Sequence, residues 1–268
     1  RVLLAEPFLN LRAMFRAVPA LAGQQAWRSL DDSIGRFVGN EKLREALGFP
    51  ALLAGANPLS LSAHLAPLQG LHAGVSWPRG GTSRLIGAMA RHLERLGGEL
   101  RLGEPAVRID TLGVRCTEVE TESGWRGRFD AVASNADLVH TYGDLLAGTL
   151  RGQAMGRKLA ARRFSPSQFV VHFGIEGSWP GIPHHMMLFG SRYQGMLEDL
   201  HVHGVLPQDL PIYLHHPTVT DPSMAPPGKS AFSAVVPVPH LGKLPVDWRR
   251  LGAILEQWIA TENRCTLV

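Results

Sequence analysis

Residues 77–98, with the sequence WPRGGTSRLIGAMARHLERLGG, carry the clearest structural signal in the chain. A strand-like segment ends at Gly80 and Gly81. After this pair, apolar residues recur at helical spacing. This pattern predicts a helix over residues 82–96, with Thr82 as its N-cap and a glycine pair at its end. The apolar face of this helix comprises Leu85, Met89, Leu93 and Leu96.

The regions on either side of this helix differ in predicted structure. Upstream, the patterns favour helices over residues 8–18, 26–38 and 40–47, with Asn40 as the cap of the third. Downstream, strands are predicted at 99–102, 106–109, 114–121 and 131–133, with turns at Gly113 and Gly124. A helix over 135–146 and a basic helix precede strands at 168–175, 184–189, 210–214 and 232–238, and a last helix starts near Asp247. This order of elements predicts a fold of the α/β class in which helices and strands are mixed along the chain (α+β).

Composition and charge narrow the class of protein. The 268 residues are 45% apolar and 19% charged, which is typical of a folded globular chain. A formal charge of +4 with scattered basic residues argues against a nucleic-acid partner. Cys116 and Cys265 lie too far apart in sequence to indicate a disulfide scaffold. Because no run reaches the roughly 20 apolar residues of a spanning helix, any membrane contact is expected to be peripheral.

The glycine pair and a later polar stretch are the first candidate sites. The turn at residues 77–82 leads into a helix N-terminus, where backbone N–H groups can hold an anion or the edge of a cofactor. The other interpretation is a simple strand-to-helix turn. Asn135 and Asp137 have a similar pair of interpretations, because either can cap the helix that follows.

The histidines also allow two interpretations. They occur as close sets at residues 184–185, 201/203 and 215–216, and imidazoles that share one face of a strand can bind a metal. The favoured interpretation is polar surface or hydrogen-bonded core, since adjacent strand residues point to opposite faces and no carboxylate has ligand spacing beside them. We therefore predict no metal site. Hydrolytic chemistry is not indicated either, because neither G-x-S-x-G nor H-E-x-x-H occurs.

Several strings, taken together and in order, resemble the bacterial phytoene desaturases over nearly the whole chain. The strings in the first half are residues 25–29 (QAWRS), 57–58 (NP), 78–82 (PRGGT), 133–137 (ASNAD) and 140–142 (HTY). Those in the second half are residues 184–185 (HH), 189–193 (FGSRY), 213–215 (YLH), 217–221 (PTVTD) and 237–242 (PVPHLG).

The resemblance implies part of an FAD-dependent, amine-oxidase-like flavoprotein fold. It divides the chain into a helical substrate- and membrane-facing region (1–75), partial FAD-binding elements (76–147) and a sheet-rich substrate domain (148–268). The family's G-x-G-x-x-G and its glycine-rich C-terminal flavin segment do not occur here, so we expect a central fragment that is inactive alone. The implied cofactor contacts are Pro78, Arg79, Gly80, Gly81, Thr82, Asn135, and Ala106 and Val107 beside the adenine.

The implied activity is the removal of hydrogen from phytoene or a related carotenoid, which extends its conjugated polyene. An unactivated allylic C–H must lose a hydride equivalent, which requires an acceptor such as FAD, with quinone or oxygen as the terminal acceptor. The apolar helices before residue 71 line a substrate tunnel or form ordinary core. We expect a peripheral enzyme on the cytoplasmic side of the membrane.

Departures from the family pattern leave other activities open. Arg12 and Arg16 are candidate substrate-region residues, but Ala13 replaces the aspartate common in the family, so no general base is assigned. The stretch 59–76 is shorter and less aromatic than usual, which allows a later or shorter carotenoid as substrate. The alternatives are a carotenoid isomerase on the same fold and a non-catalytic relative that binds an apolar ligand.

Overall fold

The structure is a computed structural model that describes residues 15, 18–19, 22–23, 27–60, 76–113, 115–162, 164–240, 242 and 246–261. Contacts group them into two compact units, one formed by residues 1–84 and 165–268 and the other by 85–164. The functional division predicted at 75/76 and 147/148 stays a prediction. The predicted helix over residues 8–18, apart from residues 15 and 18, and the part of the predicted tunnel lining at residues 61–71 lie outside the described residues.

Two capped helices open the described part of the first unit. Helix α1 spans Leu30–Gly35, and its N-cap Ser29 accepts a hydrogen bond from the Asp32 N–H. Helix α2 spans Glu41–Leu53. The predicted cap Asn40 is confirmed, because its side chain accepts from the Leu43 N–H.

The helix predicted after the glycine pair is confirmed as α3, Thr82–Arg95. Thr82 is its first residue rather than its N-cap. The Gly97 N–H donates to the Glu94 carbonyl at 2.9 Å and the Gly98 N–H to the Leu93 carbonyl at 3.0 Å. These two bonds form a Schellman motif, in which Gly97 takes the left-handed conformation with φ = +85°.

The second unit contains a small antiparallel sheet of strands β1 (Ala106–Leu112), β2 (Arg115–Thr121) and β3 (Arg126–Arg128) in that order. Gly113 and Gly124 have positive φ at its turns, as predicted. The strands predicted at 99–102 and 131–133 are wrong. A short strand-like pattern at 99–102 and an apolar run at 131–133 suggested them, but no strand among the described residues pairs with either segment, and without a partner they stay irregular.

Two helical segments complete this unit. Helix α4, Leu138–His140, continues as a π-helical segment, Thr141–Leu145, which accounts for most of the helix predicted over 135–146. Asp137 caps it by accepting hydrogen bonds from the Val139 and His140 N–H groups. Helix α5 spans Leu150–Ala160 and corresponds to the predicted basic helix.

The first unit returns with a four-stranded antiparallel sheet. Its strands are β4 (Ser167–Glu176), β5 (His185–Leu188), β6 (Ile212–His215) and β7 (Lys229–Val238). They pair in the order β4-β7-β6-β5. All four strands predicted in this half are confirmed, with β4 and β7 pairing over their whole lengths. Helix α6, Tyr193–Glu198, lies between β5 and β6, and α7, Trp248–Thr261, follows β7.

A small apolar cluster joins Leu30 and Ile34 of α1 to Ala51 of α2, and two larger clusters stabilise the rest of the first unit. One face of β7 packs with β6 and with Leu255 of α7. Phe49 and Leu52 of α2 pack against Met196 and Leu197 of α6 in the other cluster. Among the described residues, none of the helices combines the length and apolarity needed to cross a membrane.

Candidate functional site

Two consecutive glycines shape the turn that leads into α3. Gly80 and Gly81 both have φ = +82°, a conformation that residues with a Cβ rarely adopt. The Gly81 N–H donates to the Pro78 carbonyl at 2.8 Å and closes the turn. A Cβ on Gly81 would lie 2.9 Å from Cε of Met224, the end of a flexible side chain that would have to shift. The sequence motif is therefore required chiefly by the backbone conformation.

Asp221 occupies the anion position that this glycine turn offers. Its Oδ2 accepts from the Gly80 N–H at 2.6 Å, and its Oδ1 accepts from the Ser223 N–H at 3.2 Å and the Ser223 hydroxyl at 2.6 Å. The Gly80 bond, then the Ser223 bonds and the nearby Arg79 charge, hold the pKa of the Asp221 carboxyl below its usual value. The predicted anion-binding geometry thus exists, and the chain's own carboxylate fills it.

A cluster of three histidines lies beside this turn. His185 of β5 is the register partner of His215 of β6, and their ring centroids are 5.5 Å apart. The His184 ring lies 4.4 Å from that of His185, and its Nε2 is 2.9 Å from Nε2 of His215. The Trp77 ring contacts His184 and His215 edge-on, at centroid distances of 5.5 and 5.2 Å. Trp77 therefore joins the histidine cluster to the glycine turn.

The expectation that adjacent histidines diverge is wrong for His184 and His185. His184 precedes the first residue of β5, so the alternation of a strand does not apply to it. The expectation holds for the second pair, because His216 is buried, stacks on Phe232 at 4.2 Å and donates from Nδ1 to the Ile182 carbonyl at 2.9 Å. His216 is a hydrogen-bonded core residue, as the sequence favoured.

Hydrogen bonds orient two rings of the cluster. His184 Nδ1 bonds to the Thr220 hydroxyl, which itself donates to the Pro217 carbonyl at 3.2 Å. Because the hydroxyl proton is engaged there, Nδ1 of His184 is the donor and its Nε2 carries a lone pair. His185 Nδ1 lies 2.7 Å from the Tyr213 hydroxyl.

Burial keeps the half-buried rings of this cluster neutral. Desolvation, followed by repulsion from His184 and the other neighbouring histidines, lowers the pKa of His215 to about 4. The pKa of His184 is also lowered, chiefly by burial and then by His185. At neutral pH both imidazoles are therefore uncharged, and His215 donates from Nε2 to the lone pair on Nε2 of His184.

The predicted cofactor residues fall into different parts of the structure. Pro78, Arg79, Gly80, Gly81 and Thr82 form the glycine turn of the first unit. Ala106 and Val107 begin β1 in the second unit, at a register shift between residues 106 and 108. Asn135 is exposed in the same unit, and Asp137 rather than Asn135 caps α4. The cofactor roles of these residues stay predictions.

The remaining residues of interest are two that the sequence predicted and two that it did not select individually. Arg12 and Arg16 lie outside the described residues. Sequence reasoning did not select Asp221 or Thr220 individually, although both belong to the string 217–221 that carries the family resemblance. The close histidine sets were the signal for the cluster, but spacing along the chain did not show that residues 184 and 215 meet.

The charged and uncharged parts of a flavin fit the glycine turn differently. A phosphate does not fit, because the Gly80 N–H already donates to Asp221, whose carboxylate would repel a second anion. An uncharged ring edge fits, since Gly80 and Gly81 present backbone without side chains beside the partly exposed Trp77 ring. The turn is therefore suited to a ring contact and not to pyrophosphate binding.

This fold, with its glycine turn entering a helix and its separate antiparallel sheet, is that of a flavoprotein oxidoreductase. The family model described as "Flavin containing amine oxidoreductase" matches residues 11–241, and the chain belongs to this family. The expected amine-oxidase-like flavoprotein class is thus confirmed, and a flavin is the cofactor type of the family.

The similar proteins include phytoene desaturases. The lycopene-forming enzyme of a Paracoccus species is 41% identical over 97% of this chain and 54% of its own length. The lycopene-forming enzyme of Pantoea ananas is 39% identical over 98% of this chain and 55% of its own length. The chain therefore spans about half the length of these relatives, and the predicted resemblance to bacterial phytoene desaturases is confirmed.

A solved structure shows the same fold at low sequence identity. An oxidoreductase from Methanosarcina mazei superimposes with a TM-score of 0.63 at 17% identity, covering 94% of this chain and 57% of that one. The similarity supports the fold alone.

Proposed function

We propose that the full-length protein containing this chain is an FAD-dependent carotenoid desaturase that removes hydrogen from phytoene or a related carotenoid. The observation that carries this proposal is the 41% identity to a lycopene-forming phytoene desaturase over 97% of the chain. Membership of a flavin-containing family supplies the cofactor class, and FAD is the specific form proposed here.

The glycine turn has a positioning role in this proposal. A bound flavin would supply the two-electron acceptor that loss of a hydride equivalent from an allylic C–H requires. Asp221 fixes the Gly80 peptide, so that the turn and the Trp77 ring keep one orientation toward an apolar ligand. A hydrocarbon offers no hydrogen-bonding groups. Its binding free energy would come from burial of apolar surface, at about 25 cal/mol per Å² buried.

Three further features are part of the proposal. The substrate is a long apolar carotenoid, the terminal acceptor is a quinone or oxygen, and the enzyme acts peripherally on the cytoplasmic side of the membrane. The proposed substrate supports the membrane association, because a long hydrocarbon partitions from water into a bilayer. Recovery of the full-length protein wholly in the soluble fraction, with no binding to liposomes, would contradict the membrane proposal.

The decisive experiment incubates the full-length protein and FAD with phytoene in liposomes and records the visible spectrum of the extracted pigment. A long-wavelength polyene band is expected, and its position counts the double bonds formed. Consumption of the electron acceptor distinguishes desaturation from isomerisation, which needs no net oxidant. If flavin binds but phytoene is unchanged, phytoene is not the substrate, and the same assay with later carotenoids separates another desaturase from a non-catalytic relative.

A further inference from the structure

The histidine cluster brings together three groups that could hold a metal ion, which the proposed desaturase activity does not require. His185 and His215 are cross-strand partners, which places their side chains on one face of the sheet. His184 approaches from the segment before β5. One ring nitrogen from each of the three lies within 4.8 Å of the others. Binding would draw the three rings together until each nitrogen lies at the roughly 2.0–2.1 Å from a common ion that zinc requires.

The hydrogen bonds around the cluster also match those of metal ligands. A metal-bound histidine almost always uses its second ring nitrogen in a hydrogen bond that fixes the tautomer and orientation. His184 does so through Nδ1 to Thr220, which directs the Nε2 lone pair toward His215. His185 does so through Nδ1 to Tyr213. Two of the three ligands therefore have their outer partners in place.

The donor set selects the class of ion. The three donors are all imidazole nitrogens, and no carboxylate belongs to the group identified among the described residues. Imidazole favours zinc, copper and nickel, whereas magnesium and calcium require oxygen ligands. Three protein ligands also leave one tetrahedral position for water.

We propose that His184, His185 and His215 bind a divalent transition-metal ion of the zinc and copper class. The ion connects the start of β5 to the end of β6 and fixes the edge of the sheet against which Trp77 packs. It acts as a structural clamp and is independent of the proposed desaturase activity.

Titration with Co²⁺ of the full-length protein, after treatment with a chelator, tests the proposal. The unaltered protein should develop the visible ligand-field absorption of tetrahedral cobalt at one equivalent. His185→Ala should weaken Co²⁺ binding at least about 100-fold, and Tyr213→Phe about 10-fold or more through loss of the outer hydrogen bond. The control His172→Ala removes a histidine of the same sheet that bonds to Ser233 instead, and it should bind Co²⁺ as the unaltered protein does.

Thermal unfolding with Zn²⁺ gives a second measurement. Zinc should raise the Tm of the unaltered protein and of His172→Ala, because an ion that binds the folded state stabilises it, and it should not raise the Tm of His185→Ala. His185 is exposed, so its replacement leaves the fold intact. The proposal is overturned if the unaltered protein shows no cobalt absorption, or if His185→Ala retains the absorption and the Tm increase.

Discussion

At the scale of single residues, Gly81 has a backbone conformation that disfavours a side chain, and the end of the Met224 side chain lies where its Cβ would be. Its φ of +82° disfavours any residue with a Cβ, and Met224 Cε and Sδ would lie 2.9 and 3.1 Å from that atom. We expect Gly81→Ala to lower the free energy of unfolding by about 1–2 kcal/mol, the backbone strain plus the smaller cost of shifting the Met224 side chain, measured by urea denaturation.

Gly228→Ala is the matched control for this substitution. Gly228 also has a positive φ, +76°, but a Cβ there would meet nothing within 4 Å. The control should therefore cost only the backbone strain, about 1 kcal/mol. Equal losses in the two variants would show that contact with Met224 contributes nothing at Gly81.

Asp221 gives the first unit a dependence on pH. Because its pKa is lower in the folded state than in the unfolded state, its contribution is complete above the ordinary aspartate value of about 4 and declines as the pH falls through the folded value. Asp221→Asn should reduce the unfolding free energy at pH 7, and the difference from the unaltered protein should shrink below about pH 4. Urea titrations at several pH values measure this, and a difference that does not change with pH would refute it.

At the scale of elements, the cap of α2 is a local signal that the structure confirms. Asn40 accepts from the Leu43 N–H at 3.1 Å. Asn40→Ala should lower the unfolding free energy by about 1 kcal/mol, whereas Asn40→Asp should restore most of it, because both polar side chains can accept this bond. Denaturant unfolding of the two variants tests the prediction, and equal stability of the Ala and Asp variants would contradict it.

Local sequence patterns predicted some elements of this fold correctly and others wrongly. The end of α3 and the turns at Gly113 and Gly124 were predicted, since capping and positive φ depend only on neighbouring residues. The segment at 99–102 has a strand-like pattern and the segment at 131–133 is apolar, yet neither forms a strand. A strand needs a hydrogen-bonding partner, and composition does not show whether one is present.

At the scale of the whole molecule, packing of α7 on the four-stranded sheet is a test of the core. Leu255 is 3% exposed and belongs to the cluster on β7, whereas the adjacent Ile254 is 54% exposed. Leu255→Ala should lower the unfolding free energy by about 2–5 kcal/mol, and Ile254→Ala by less than about 1. Calorimetry of the two variants measures the contrast, and similar losses would mean that α7 does not pack on the sheet in this way.

The sequence by itself determined the flavoprotein class, the mixed α/β character, the glycine turn, α3 and the strands of the larger sheet. Those features depend on residue types and spacings along the chain, or on strings shared with relatives. The tertiary structure alone decided that Asp221 reaches Gly80 across 141 positions and that His184 meets His215 across 31. Such contacts follow from strand order and register in the folded sheet, which a period of apolar residues does not specify.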